Sequence, residues 1–109
     1  MNNSEELFHQ IASKTPNATV GKMFGALSIK TKNGKTAAFL WKGNMVFKLD
    51  EDSQQLALKL EGASIGSHIY APDKQMKGWI SLPEKQLERW LEFAKKAVHF
   101  TGSLSKNEN

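Results

Sequence analysis

At 109 residues the chain is one domain's worth of sequence, long enough to bury a core without disulfide or metal staples. Its 39% apolar and 24% charged residues place it with globular domains rather than with disordered or fibrous chains. A net charge of +4 leaves an anionic partner open, while the lack of cysteine rules out disulfides, thiol nucleophiles and thiolate metal sites. No apolar run approaches the roughly 18 residues of a membrane helix, so no membrane partner is expected. The acidic, polar start MNNSEELFHQ resembles neither a signal nor a transit peptide, and a cytoplasmic location is the default expectation.

Asn3-Ser4-Glu5-Glu6 predicts a first helix, with Asn3 as N-cap and Glu6 reaching back in a capping box. Leu7, Phe8, Ile11 and Ala12 give it one apolar stripe, and Thr15-Pro16-Asn17 ends it because the residue before proline is pushed out of the α region. Thr19 and Val20 lead into residues 23–49, which read as a three-stranded antiparallel meander. Lys32-Asn33-Gly34-Lys35 predicts a type I′ turn, since Asn-Gly tolerates positive φ at both central positions. Lys42-Gly43-Asn44 predicts a second turn, with the glycine placed first or in a slightly longer loop. Leu27 and Ile29, then Met45, Phe47 and Leu49, alternate with more polar positions, the period of a strand with one buried face. Gly25 reads as a bulge or a close-packing point, with Met23 and Phe24 filling the core beside it.

Asp50-Glu51-Asp52-Ser53 supplies a cap and negative charge for a helix over 54–60, in which Leu56 and Leu60 face inward and Gly62 follows the end. Residues 63–67 read as connecting chain, 68–70 as a short strand, Ala71-Pro72-Asp73 as a turn and 75–82 as a further strand. Ser81 to Glu84 has capping-box spacing at the start of the longest helix. Its stripe is Leu87, Trp90, Leu91, Ala94, Ala97 and Val98, with Phe93 and Phe100 at the margin, and Gly102 ends it. Residues 103–109 read as a frayed tail. The order α-β-β-β-α-β-β-α predicts a single two-layer α+β domain over 1–109, an antiparallel sheet of about five strands with helices packed on it.

Catalytic signals are weak. His9, His68 and His99 lack metal-ligand spacing, helix capping accounts for Asp50 and Asp52, and the scattered glycines build no phosphate loop. No catalytic residue, cofactor or metal is expected, which makes a non-enzymatic domain the leading reading. Charge is more informative. Between Leu7 and Leu49 there is no Asp or Glu but seven lysines. Those lysines either keep turns and edge strands soluble or form a footprint for nucleic acid. The second reading nominates Lys22, Lys30, Lys32, Lys35 and Lys42. Arginine, the better bidentate phosphate ligand, occurs once, at Arg89. Trp90 belongs to the core stripe, whereas Trp41 and Trp79 sit beside lysine and glycine and are candidate base-stacking or partner anchors, or sheet-end packing. An alternative function is a small-ligand or enzymatic pocket near His68, Tyr70 and Trp79. A third possibility is a homodimer through an exposed strand edge, which can coexist with the interaction-domain reading.

Several short motifs together resemble the N-terminal domain of the TfoX/Sxy family, whose fold is related to YjbR-like proteins. They are Met23-Phe24-Gly25, Gly34-Lys35 leading into Ala37-Ala38-Phe39, Met45 to Leu49 before an acidic helix start, and Lys74-Gln75-Met76-Lys77-Gly78-Trp79 before a helix with Trp90-Leu91. Their order and spacing carry the resemblance over roughly residues 20–100. It implies a small α+β domain with a curved antiparallel sheet. Longer members carry a second, helical domain and are associated with natural competence, acting with a transcription activator. The resemblance therefore implies a regulatory domain with a protein partner and no family catalytic residues.

Overall fold

A computed structural model describes residues 3–23, 25–68 and 71–104. The elements are α1 (Asn3–Lys14), β1 (Thr19–Met23), β2 (Ala26–Lys30), β3 (Thr36–Trp41), β4 (Asn44–Lys48), α2 (Glu51–Leu58), β5 (Ser64–His68), β6 (Ala71–Leu82) and α3 (Leu87–Gly102), with a 3₁₀ turn at Glu84–Gln86. Among the described residues the sheet has six antiparallel strands in the order β1-β2-β3-β4-β6-β5. The α+β class and the helix-on-sheet layering are as expected, but the meander has one more strand than its apolar runs suggest. Thr19–Met23 pairs with β2, Val20 opposite Ile29, around a turn at Gly25. Gly25 has φ +83 with open space about it, so it serves the turn rather than a close approach. Met23 is half-buried, and Phe24 lies outside the described residues.

The period-two alternation places Ile29, Leu40, Met45, Phe47, Ile80 and Leu82 on the face that carries the helices. Phe8 and Ile11 of α1, Ala57 of α2 and Trp90, Phe93, Ala94, Ala97 and Val98 of α3 close over them. Phe93, expected at the margin of its helix, is fully buried with its ring 6.2 Å from that of Phe47. A bulge sharpens this face. Ile29 opposes Ala38 and Lys30 opposes Thr36, which leaves Ala37 as the extra residue of β3. Both Ala37 and Ala38 consequently enter the core.

The opposite face is also buried over its centre. Ser28, Phe39 and Val46 are inaccessible or nearly so, and the Trp79 ring lies 5.5 Å from that of Phe39. Gly66 permits the curl: a Cβ there would stand 2.9 Å from Val46 Cγ1. Bulges in the β5–β6 ladder add twist where this strand wraps.

Several local expectations are corrected. The two hairpin turns exchange geometries: Lys42 (φ 51) and Gly43 (φ 82) form the left-handed pair of a two-residue hairpin, while at Asn33-Gly34 only Gly34 is left-handed. There Gly34 N–H donates to Thr31 O (3.0 Å) and Thr31 N–H to Lys35 O (3.0 Å), a three-residue loop. Helix α2 begins at Glu51, and Asp50 holds its cap position without a side-chain bond. It packs through Ser53 and Ala57, leaving Leu56 46% exposed, because small residues let the helix approach the sheet closely.

Ser64–His68 is a strand rather than connecting chain, and Ala71-Pro72-Asp73 begins the long β6 rather than forming a turn. Ser81 lies in β6 opposite Val46 and caps nothing; Glu84 instead accepts a 2.6 Å hydrogen bond from Ser4 Oγ, which ties the start of α1 to the approach to α3. No described helix is long and apolar enough to cross a membrane.

Candidate functional site

The hairpin topology decides which of the nominated lysines can act together. In an antiparallel meander alternate turns fall at opposite ends of the sheet. The β1–β2 and β3–β4 turns share one end, with Lys22, Trp41 and Lys42 lining a groove of about 370 Å³ between them. Lys42 Nζ stands 5.7 Å from the Trp41 ring centroid, an exposed cation–π contact. Glu5 of α1 lines the same groove, so a carboxylate offsets the positive charge there.

The β2–β3 turn lies at the other end with Lys30, Lys32 and Lys35. Helices α1 and α3 both finish there, as the lining of a second cleft shows. That cleft, of about 470 Å³, is bounded by Thr15, Asn17, Lys32, Lys95 and His99. Lysines beside two helix C-termini complement the partial negative charge of the exposed carbonyls. The acidic residues gather instead in first helical turns, at Glu5 and Glu6, Glu51 and Asp52, and Glu88. Glu5, Glu6 and Glu88 lie at the far end, whereas Asp50, Glu51 and Asp52 follow β4 directly and border the lysine-rich end, which therefore carries carboxylates of the α2 first turn as well as lysines.

Lys48 extends that end onto the opposite face of the sheet. It is half-buried, pairs with Trp79 across the β4–β6 ladder and lies near Lys35. Burial, and secondarily the Lys35 ammonium, hold its pKa below the ordinary lysine value. Lys30 belongs to the same face: its stem crosses Gly21, where a Cβ would be 3.0 Å from Lys30 Cε. Among the described residues no carboxylate lies within ion-pair distance of Lys30, Lys32 or Lys48. Lys48 and Lys35 thus bring two ammonium groups near one another, with Lys48 partly desolvated.

No family model, curated protein or solved structure matches the chain. The site must therefore be judged on its own chemistry.

Of the nominated residues, Lys30, Lys32, Lys35 and Trp79 lie toward the lysine-rich end, whereas Lys22, Trp41 and Lys42 lie at the other. The backbone of His68 pairs with Ala71 in the β5–β6 ladder, and Tyr70 lies outside the described residues. Trp79 is half-buried with its ring against Phe39, and its backbone is opposite Lys48 in the β4–β6 ladder. His9 is exposed on α1, and no group of His, Asp and Glu suited to holding a metal occurs among the described residues. Sequence reasoning missed Lys48, Lys95 and His99 as members of the site. Lys48 was visible as an outward position in the strand alternation, but its pairing with Trp79 required the β4–β6 register.

One further residue organises this end. Asn33 Nδ2 donates to Thr101 O (3.1 Å) and Leu104 O (2.9 Å), so the hairpin caps the last carbonyls of α3. Its Oδ1 accepts from Lys35 N–H (3.1 Å) and from the Thr31 hydroxyl. Ser103 and Leu104, expected to fray, are held by this cap and by their own bonds to Phe100 O and Thr101 O.

Proposed function

We propose that the protein is a non-enzymatic interaction domain that engages nucleic acid through its lysine-rich end, in the regulatory role that its resemblance to TfoX N-terminal domains implies. The observation that supports this most is Lys48, half-buried, near the Lys35 ammonium and opposite Trp79 in the β4–β6 ladder, with no carboxylate within ion-pair distance of Lys48 among the described residues. A purely solubilising lysine gains nothing from partial burial next to another ammonium. Phosphate oxygens would relieve that repulsion, and an aromatic edge nearby adds a sequence-tolerant stacking surface. Helix α3 contributes Lys95 and His99 across the turn, giving the end a width that several phosphates could span.

The test is binding of fluorescent duplex and single-stranded DNA across a salt series, with two double variants. Lys32→Gln/Lys35→Gln alters the lysine-rich end and Lys22→Gln/Lys42→Gln the other. Each lost phosphate contact lowers the salt slope by about 0.9 for duplex, so the first pair should reduce it by about 2 and the second by little. Equal effects from both pairs would show a diffuse charge effect and no site. Absence of binding at low salt would return the lysines to a solubilising role.

A further inference from the structure

Asn33-Gly34 is the dipeptide most prone to spontaneous deamidation, because glycine places no side chain in the way of ring closure. In that reaction Gly34 N attacks Asn33 Cγ, the N–Cγ bond forms, and the Cγ–Nδ2 bond breaks. The proton from Gly34 N–H leaves with the side-chain nitrogen as ammonia. Water then opens the succinimide to aspartate or isoaspartate, with no cofactor or oxidant.

The fold holds every atom of this step. Gly34 N–H is committed to Thr31 O at 3.0 Å, Nδ2 is committed to two carbonyls of the α3 end, and Oδ1 accepts from Lys35 N–H and Thr31 Oγ1. We propose that Asn33 is a guarded deamidation site that acts as a one-way switch on the end of α3. It reacts only when the α3 terminus leaves the hairpin, and once converted it cannot re-dock.

The irreversibility follows from donor chemistry. The amide presents N–H groups to Thr101 O and Leu104 O, whereas a carboxylate presents only acceptors. Two bonds become two repulsions, and the chain at 101–104 loses its anchor. The product also places a negative charge between Lys32 and Lys35.

The experiment incubates the full chain at mildly alkaline pH, folded in buffer and unfolded in urea, and follows conversion at Asn33 by peptide-mapping mass spectrometry. The folded chain should convert more slowly by roughly tenfold or more, the factor expected when two or more hydrogen bonds must open first. Equal rates would overturn the guarding. In parallel, amide exchange at Ser103 and Leu104 is compared in the parent, Asn33→Asp and Asn33→Ser. Exchange should accelerate in both variants and more in Asn33→Asp; parent-like exchange in Asn33→Asp would overturn the switch. Aged protein should also bind DNA more weakly. That last consequence alone rests on the proposed function, so the exchange and mass measurements stand or fall separately from it.

Discussion

Gly66→Ala, alone and with Val46→Ala, tests the curl that buries the sheet's second face. A Cβ at 66 would lie 2.9 Å from Val46 Cγ1 and 3.2 Å from Trp79 Cβ, both closer than ordinary van der Waals contact. Val46 is only 4% exposed. Gly66 is not in the left-handed region, so alanine fits the backbone and gains about 0.4–1 kcal/mol by restricting the unfolded chain. Overpacking costs about 1–3 kcal/mol and wins, for a net loss of about 1–2 kcal/mol. Val46→Ala alone leaves a void and should cost about 1–3 kcal/mol. In the double variant the new methyl enters the space that Val46 Cγ1 vacated. The two changes should then fall short of additivity by about 1–2 kcal/mol. Urea unfolding of the four chains at constant m-value measures this directly. Additivity within about 0.5 kcal/mol would refute the contact and with it the account of the curl.

Three other outcomes follow from single residues. Ser28 Oγ is buried with no hydrogen-bond partner among the described residues, so Ser28→Ala should raise thermal stability by about 1 kcal/mol. A loss of similar size would mean that the hydroxyl has a partner after all. Lys42 has φ 51, and Lys42→Asn should relieve about 1 kcal/mol of left-handed strain against about 0.5 kcal/mol for the exposed contact with Trp41; the denaturant midpoint should rise, and a fall would refute the turn geometry. Lys48 has a folded pKa below its unfolded value, so its charge opposes folding at neutral pH. That penalty is relieved as pH rises from the folded to the unfolded pKa. Lys48→Met should therefore be more stable than the parent at neutral pH, with the difference shrinking across that alkaline window, while binding DNA less well. A destabilised variant that still binds DNA would remove Lys48 from the site.

The sequence by itself determined what local physics controls. Strand alternation at Leu27, Ile29, Met45, Phe47 and Leu49, the stripe through Trp90, and turn-forming glycines were sufficient for the α+β class and the helix-on-sheet layering. The polarity of the lysine run was also legible, because it needs only composition. What the tertiary structure decided depends on partners distant in the chain. Ser64–His68 lacks a strand's composition and becomes one because β6 offers it a ladder. Asn33 favours a left-handed turn locally, yet its side chain reaches the α3 carbonyls and the loop adopts another geometry to let it. Lys48 was one lysine among seven until the β4–β6 register set it beside Trp79 and burial stripped part of its water. Turn order then sent Lys22 and Lys42 to the opposite end from Lys32 and Lys35, a separation no linear pattern encodes. Backbone preference acts within a few residues, whereas charge clustering and side-chain capping act through space, and only the folded chain brings those groups together.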